Sequence, residues 1–259
     1  MPIDFHNEAN RYSYSGRSVD PSWVDLFQKL VDTYHIEYPI DIGCGGGIYS
    51  RVLASIGTIR VLGLDQSAPI INTAKQHSDD PRLSFQQGDA LCTGLPSSSH
   101  DMVLQRALVH HINNLEACVK EANRLLNTEG IYVIQDRTPE DCFLPGSSQH
   151  IRGYFFEKYP QLKKLEKQRR HTSQKVKHTL EENGFLLLKE HKFWEVRRNY
   201  ENKVEWKEEL LSRKGRSILH ELKEDELLVL EDMISPHLPE STPIVEKDRW
   251  TIWISQKRS

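Results

Sequence analysis

The sequence has no apolar run that could cross a bilayer. Phe185–Leu188 is typical of its longest, against about 20 residues for a spanning helix. Its four cysteines, Cys44, Cys92, Cys118 and Cys142, form no C-x-x-C pair and no metal-ligand spacing. That sets aside a disulfide scaffold and a bound metal, and favours buried thiols in a reducing compartment. The N-terminal residues carry Asp4 and Glu8 and no apolar signal core, so no secretory leader is expected and the cytoplasm is the expected location. An excess of one charge is missing too: at a net charge of −3, the protein does not bind polyanions by bulk charge. There is no Gly-Lys-Ser/Thr, which excludes a phosphate-binding P-loop, and neither an internal repeat nor a low-complexity linker.

What is present alternates. Residues 20–34 place Trp23, Leu26, Phe27, Leu30 and Val31 at helical spacing, with Asp20 as a candidate N-cap. Short apolar strands are then expected at Tyr38–Ile42, Ile59–Leu64, Leu83–Gln86, Met102–Leu104 and Ile131–Gln135. Helices are expected between them at Ile48–Ser55, Ala68–His77 and Leu115–Leu126, with Gly130 as the C-terminal cap of the last. Such alternation predicts a doubly wound, mostly parallel sheet covered on both faces. The rhythm breaks over 138–171 and resumes with a helix at Ser173–Glu182 and a strand at Phe185–Glu195. It breaks again over 197–246, where Val204–Leu211 and Glu224–Ile234 read as helices, and Trp250–Ile254 closes the pattern as a strand. The simplest organisation is one α/β domain over 1–259. In it, 1–19 forms an N-terminal lid segment, and 138–171 with 197–246 form helical insertions that cap the substrate.

The strongest motif is Asp41–Gly47 (DIGCGGG), between the first strand and a helix. Gly43, Gly45 and Gly47 remove Cβ atoms where the backbone turns sharply and approaches a ligand. A dinucleotide fingerprint wants its third glycine one position later, where Ile48 stands. A glycine turn also occurs without a ligand, but here two acids accompany it. Asp65 ends the second strand, where a carboxylate can accept from both hydroxyls of a ribose. Asp89 follows the third strand, where it can accept from the amine of an adenine. Singly each acid reads as a turn former; in order at three strand ends, they mark the ligand-binding edge of an α/β sheet.

With these motifs the chain resembles the class I S-adenosylmethionine-dependent methyltransferases, in their small-molecule group. The resemblance is good over about residues 10–136 and weak over 172–256. It implies a seven-stranded Rossmann-like sheet whose last strand is antiparallel. S-adenosylmethionine would be the cofactor, with S-adenosylhomocysteine as product. By that resemblance Asp41, Gly43, Cys44, Gly45 and Gly47 form the glycine-rich motif, and Asp65 with Gln66 the ribose side. Gly88, Asp89 and Ala90 form the adenine side, and Gln105 contacts the cofactor or shapes its wall. Tyr14 and Arg17 resemble an N-terminal element whose arginine takes the methionine carboxylate, although Ser18 displaces the expected proline.

Methyl transfer is an in-line displacement, so a base is required only where the acceptor must lose a proton. His110 and His111, after the fourth strand, are the catalytic candidates; Tyr14, Asp136 and Tyr154 are the substrate candidates. The basic run from Lys158 to Lys177, preceded by Tyr154, Phe155, Phe156 and Tyr159, could serve RNA through phosphate contacts and stacking. Glu157 and Glu166 dilute it, so a nucleic-acid partner is disfavoured against a small-molecule acceptor. An RNA or protein methyltransferase of this fold and a catalytically silent cofactor-binding protein remain the alternatives. A nicotinamide enzyme is disfavoured by Ile48. The acceptor and the oligomeric state are not readable.

Overall fold

The computed structural model describes residues 19–259; Tyr14 and Arg17 lie outside them, as does almost all of the expected N-terminal lid segment. The chain divides into two compact units. The first, the sheet unit, holds residues up to Asp136, His171–Phe193 and the stretch from Thr251. The second, the helical unit, holds Arg137–Arg170 and Trp194–Trp250.

The sheet unit begins with α1 (Pro21–Tyr34), capped by Asp20, whose side chain accepts from the Ser22 amide, and closed by His35 at φ 53°. Strands β1 (Pro39–Ile42), β2 (Val61–Asp65), β3 (Leu83–Gln87), β4 (His100–Arg106) and β5 (Leu126–Asp136) alternate with α2 (Ile48–Ser55), α3 (Ala68–Gln76) and α4 (Leu115–Leu125). After α8 (Ser173–Glu182) come β6 (Phe185–Tyr200) and, last, β7 (Ile244–Lys257). The seven-stranded sheet has the order β3-β2-β1-β4-β5-β7-β6. Strands β1 to β5 pair in parallel, and β7 pairs antiparallel to β5. This is the Rossmann-like methyltransferase topology expected from the sequence.

The two faces of the sheet are covered by different helices. Trp23, Phe27 and Leu53 of α1 and α2 pack against Met102, Leu104, Val133 and Ile254. Val119, Leu125, Val176 and Leu180 of α4 and α8 pack against Val103, Tyr132, Ile134 and Trp253. Strand β1 is buried along its whole length, Asp41 included.

The helical unit contains α5 (Pro139–Cys142), α6 (Arg152–Lys158), α7 (Leu162–Arg169), α9 (Lys203–Ser212) and α10 (Glu224–Ile234), with the outer parts of β6 and β7. Its apolar core joins Phe155, Phe156, Trp206, Leu210, Leu230 and Ile234. Beside it runs a buried ionic network. Glu166, on α7, accepts from Arg170 Nε at 2.5 Å and Arg169 Nη2 at 2.6 Å, and Arg152 Nη1 lies 3.3 Å away. Asp248 pairs with Arg137 at 2.5 Å and Arg152 at 3.2 Å. Glu246 takes Arg197, Arg216 and the Tyr200 hydroxyl. Burial alone would raise the Asp248 and Glu166 carboxyls, but the surrounding guanidiniums outweigh it and hold both well below the usual range.

Two expectations change. Gly130 does not cap α4: the helix ends at Leu125, Leu126 already belongs to β5, and the left-handed turn falls on Glu129 at φ 65°. Strands β6 and β7 extend beyond Phe185–Glu195 and Trp250–Ile254, because their outer halves bury charged side chains rather than apolar ones. In the basic run Arg169 and Arg170 are committed to Glu166, and Phe155 and Phe156 are buried, so the exposed lysines lack those two rings as stacking partners. Among the aromatics between β5 and β7, Phe155, Phe156, Tyr200 and Trp206 form the helical unit's own core.

Candidate active site

Parallel strands put the C-terminal ends of β2, β1, β4 and β5 side by side on one edge of the sheet. The sheet order reverses between β1 and β4, and ligands of open α/β sheets bind at that switch point. Each of these strand ends carries a chemically active residue.

The glycine loop leaves β1 and folds onto β2, where the Gly43 and Cys44 amides donate to the Leu64 carbonyl at 2.7 and 3.0 Å. Gly47 caps α2 at φ 75°, and a Cβ there would sit 2.3 Å from Phe85 Cζ, so only glycine fits. Gly45 is different: its φ is 53° and a Cβ would meet nothing within 4 Å. Backbone there faces open space, the cradle that a closely bound ligand needs. The Cys44 side chain turns the other way, into a small core with Ile71, Ala74 and Phe85, and burial raises its thiol pKa. Cys44 therefore contributes backbone, not sulfur chemistry.

Asp65, at the end of β2, borders this space. Its Oδ2 accepts from the Gly45 amide at 3.0 Å and its Oδ1 from the Ser67 amide at 2.9 Å. The carboxylate thus fixes the loop while remaining half-buried, with lone pairs left for a diol. Gln66, next in the chain, is exposed. The Gly88 amide donates to the Asp65 carbonyl at 3.0 Å, which ties the adenine-side segment to the ribose-side acid. Asp89 is exposed and accepts from the Leu91 amide at 2.8 Å, and Ala90 packs against the α4-side core. Asp41 is buried beneath the loop, where Ser50 Oγ donates to it at 2.6 Å. Burial pushes its carboxyl up to about 6, opposed by the Ser50 hydrogen bond and the Arg106 charge. These residues fit a nucleoside bearing a ribose and a close-lying chain.

At the ends of β4 and β5 the chain makes a histidine–carboxylate pair. Ala107, at φ 52°, turns it sharply after β4, and a 3-10 turn follows at Val109–His111. His110 Nδ1 lies 2.8 Å from Asp136 Oδ2, and its backbone amide donates to the same oxygen at 3.2 Å. An ionised carboxylate can only accept, so the Nδ1 proton points at Asp136, and in the neutral ring the lone pair is then on Nε2. His111, exposed, packs its ring 4.0 Å from that of His110. His171 closes the turn from beyond, its Nε2 lying 3.0 Å from the Ile112 carbonyl.

One sequence assignment is corrected, that of Gln105, and two substrate candidates are placed. Asp136, at the end of β5, holds His110. Gln105, expected at the cofactor, is fully buried between β4 and α4, its Oε1 accepting from the Tyr132 hydroxyl at 2.6 Å and from Cys118. Tyr154 belongs to the helical unit, where its ring stacks on His237 at 5.2 Å. Missed from the sequence were Arg106 and Tyr49: the guanidinium carbon of Arg106 lies 3.9 Å from the Tyr49 ring centroid. An arginine ending an otherwise apolar strand was the available signal. Among the described residues no cluster of His, Cys, Asp or Glu could hold a metal ion, and no helix is long and apolar enough to cross a membrane.

The family model of the methyltransferase domain matches residues 40–134. The ubiquinone biosynthesis O-methyltransferase of Pelagibacter ubique is 33% identical over 96 residues, covering 37% of this chain and 40% of that protein. The match therefore spans well under half of that relative. YcgJ of Bacillus subtilis, an uncharacterized methyltransferase, is 27% identical over 116 residues, 43% of this chain and 46% of that one. Its solved structure aligns with TM-score 0.59 at 16% identity, covering 91% of this chain and 98% of YcgJ. A phosphoethanolamine N-methyltransferase of Haemonchus contortus, in complex with phosphomonomethylethanolamine and S-adenosylhomocysteine, aligns with TM-score 0.59 at 15% identity, over 99% of this chain and 61% of that one. Residues 40–134 thus match the methyltransferase domain, and the sheet around them has the Rossmann-like topology of the class I methyltransferase fold.

Proposed function

We propose that the protein methylates a hydroxyl group of a small molecule, using S-adenosylmethionine and releasing S-adenosylhomocysteine, with His110 as general base. The observation that carries this reading is the His110–Asp136 pair, at 2.8 Å, on the strand edge that also bears the glycine loop and Asp65. When bound, the cofactor supplies a methyl group on a positively charged sulfur. The protein's part is to bind, orient and take a proton. Asp65 accepts from the ribose hydroxyls, and backbone at Gly45 and Gly46 admits the chain between ribose and amino acid. His110 Nε2 accepts the proton that the acceptor hydroxyl must lose, while Asp136 holds the ring in the required tautomer and stabilises its charged form. An acceptor with no proton to lose would leave this pair idle. The P. ubique relative is named an O-methyltransferase, which agrees.

A small acceptor is supported by the burial of Phe155, Phe156 and Arg170 and by the ion pair of Arg169 with Glu166, which withdraw these groups from an RNA surface. We assign acceptor recognition to the helical unit, which the chain enters directly after Asp136. The test is calorimetric titration with S-adenosylhomocysteine, followed by transfer of labelled methyl to a panel of phenols, alcohols and amines. Binding with transfer to hydroxyls is expected. A flat titration at millimolar ligand on folded protein refutes the cofactor; transfer to amines alone refutes the hydroxyl. Protease cleavage within 138–171 or 197–246 that ligand does not suppress refutes the cap.

A further inference from the structure

We propose that Arg106 is the receptor for the cofactor's methionine carboxylate, a role for which the sequence alone offered Arg17. The inference rests on the cofactor reading above and adds the residue that reads the cofactor's far end.

Strand order carries the argument. Asp65 ends β2 and Arg106 ends β4, with β1 and its glycine loop between them. A ribose held at Asp65 and a carboxylate held at Arg106 would therefore flank the loop from opposite sides. Two strand spacings separate β2 from β4, roughly 10 Å, a fitting reach for an extended nucleoside with an amino-acid tail. The open backbone at Gly45 lies on the loop that spans this gap.

The state of the guanidinium adds a second argument. It lies 3.9 Å from the ring centroid of Tyr49, the second residue of α2 and a near neighbour of the loop in the chain. Tyr49 in turn packs edge-on against Trp23 of α1 at 4.7 Å. The planar fork is thus held by a stacked, braced aromatic, which suits it for bidentate capture of a carboxylate. Arg106 is half-buried, so an ion pair there is screened less than one in open solvent. Asp41, whose charge acts on Arg106 from beneath the loop, accepts from Ser50 Oγ.

The experiment compares S-adenosylhomocysteine with 5′-methylthioadenosine, which keeps the adenosine and the sulfur but has no amino-acid end. Both are titrated calorimetrically into the wild type, Arg106→Met, Arg106→Lys and Arg17→Ala, with a thermal melt of each variant to check folding. Arg106→Met should weaken S-adenosylhomocysteine about 10- to 100-fold, the range for charge-assisted hydrogen bonds. It should leave methylthioadenosine within about twofold. Arg106→Lys should fall between, since it keeps the charge and loses the fork. Equal losses for both ligands, or no loss for either, overturn the proposal; so does the selective loss appearing in Arg17→Ala instead. If the wild type binds neither ligand, the cofactor reading fails, and this inference with it.

Discussion

The two units use charge in opposite ways. In the sheet unit the helices pack on the sheet through apolar side chains, and the active acids and histidine gather where strands end: Asp65, His110 and Asp136. In the helical unit charge is interior architecture. Arg152, Arg170, Glu166, Glu246 and Asp248 are all buried and paired with one another or with neighbouring arginines. A charged side chain of the first kind is expected to be expendable for folding and needed for function. One of the second kind is expected to be needed for folding, because breaking a buried pair strands its partner.

That contrast can be broken most decisively at Glu166. Glu166→Leu leaves Arg152 and Arg170 buried without their shared carboxylate, and should destabilise by about 3–5 kcal/mol. Urea unfolding followed by tryptophan fluorescence measures it; a loss below about 1 kcal/mol would show that water or a rearranged partner replaces the carboxylate. Replacing Arg152, Glu166 and Arg170 together with apolar residues should cost far less than the single change.

His110→Asn is the counterpart in the sheet unit. Turnover should drop roughly 100-fold or more, with S-adenosylhomocysteine affinity and melting temperature kept. Asp136→Asn should lower turnover as well, by disturbing the tautomer, and the loss should be smaller at high pH for an acceptor that is already ionised. Wild-type rates in both variants would mean that positioning alone drives the transfer.

Asp65→Ala should weaken S-adenosylhomocysteine about 10- to 150-fold, from roughly 1.5–3 kcal/mol for hydrogen bonds to a charged group. The fold should survive, although the Gly45 and Ser67 amides lose their acceptor. Unchanged affinity would displace the ribose from this strand end.

Asp41 sharpens the comparison because, like Glu121 and Asp136, it is an acid buried in the sheet unit. Burial holds its folded-state pKa at about 6, above the ordinary aspartate value of 3.8. Between those values the folded protein binds more protons than the unfolded chain, so this residue's contribution to stability falls as pH rises through the window. Asp41→Asn should therefore stabilise at pH 7.5 by on the order of 1–3 kcal/mol, an advantage that shrinks towards pH 4. Thermal melts at both pH values decide it. A variant equally stable or less stable at pH 7.5 would mean that the Ser50 and Arg106 interactions outweigh burial.

The same contrast explains what could be read from the sequence. Helices α2, α8 and α10 have the expected bounds, and the parallel strands differ by a few residues, because apolar burial leaves a periodic trace. The outer halves of β6 and β7 left none: Glu195, Arg197, Glu246 and Asp248 alternate as a buried face, but charged residues at period two look like a solvated loop. At the site, glycines and Asp65 were legible because each acts through its own backbone position. The pairing of His110 with Asp136 was not, since 26 residues separate them and only the parallel pairing of β4 and β5 brings them together. Arg106 went unnoticed beside Gln105, although Gln105 is the one turned into the interior.

The position of β7 has a consequence for the order in which the chain can complete itself. It is the last strand in sequence, yet in the sheet it lies between β5 and β6, both of which precede it. During synthesis, β5 has nothing to pair with on that side until residues 251–256 have been made. The helical unit waits on the same event, since its second segment ends at Trp250. A ribosome must therefore deliver β7 before either unit closes, and until then an unpaired strand edge is open to other chains. Nascent-chain folding should accordingly be late and abrupt rather than stepwise.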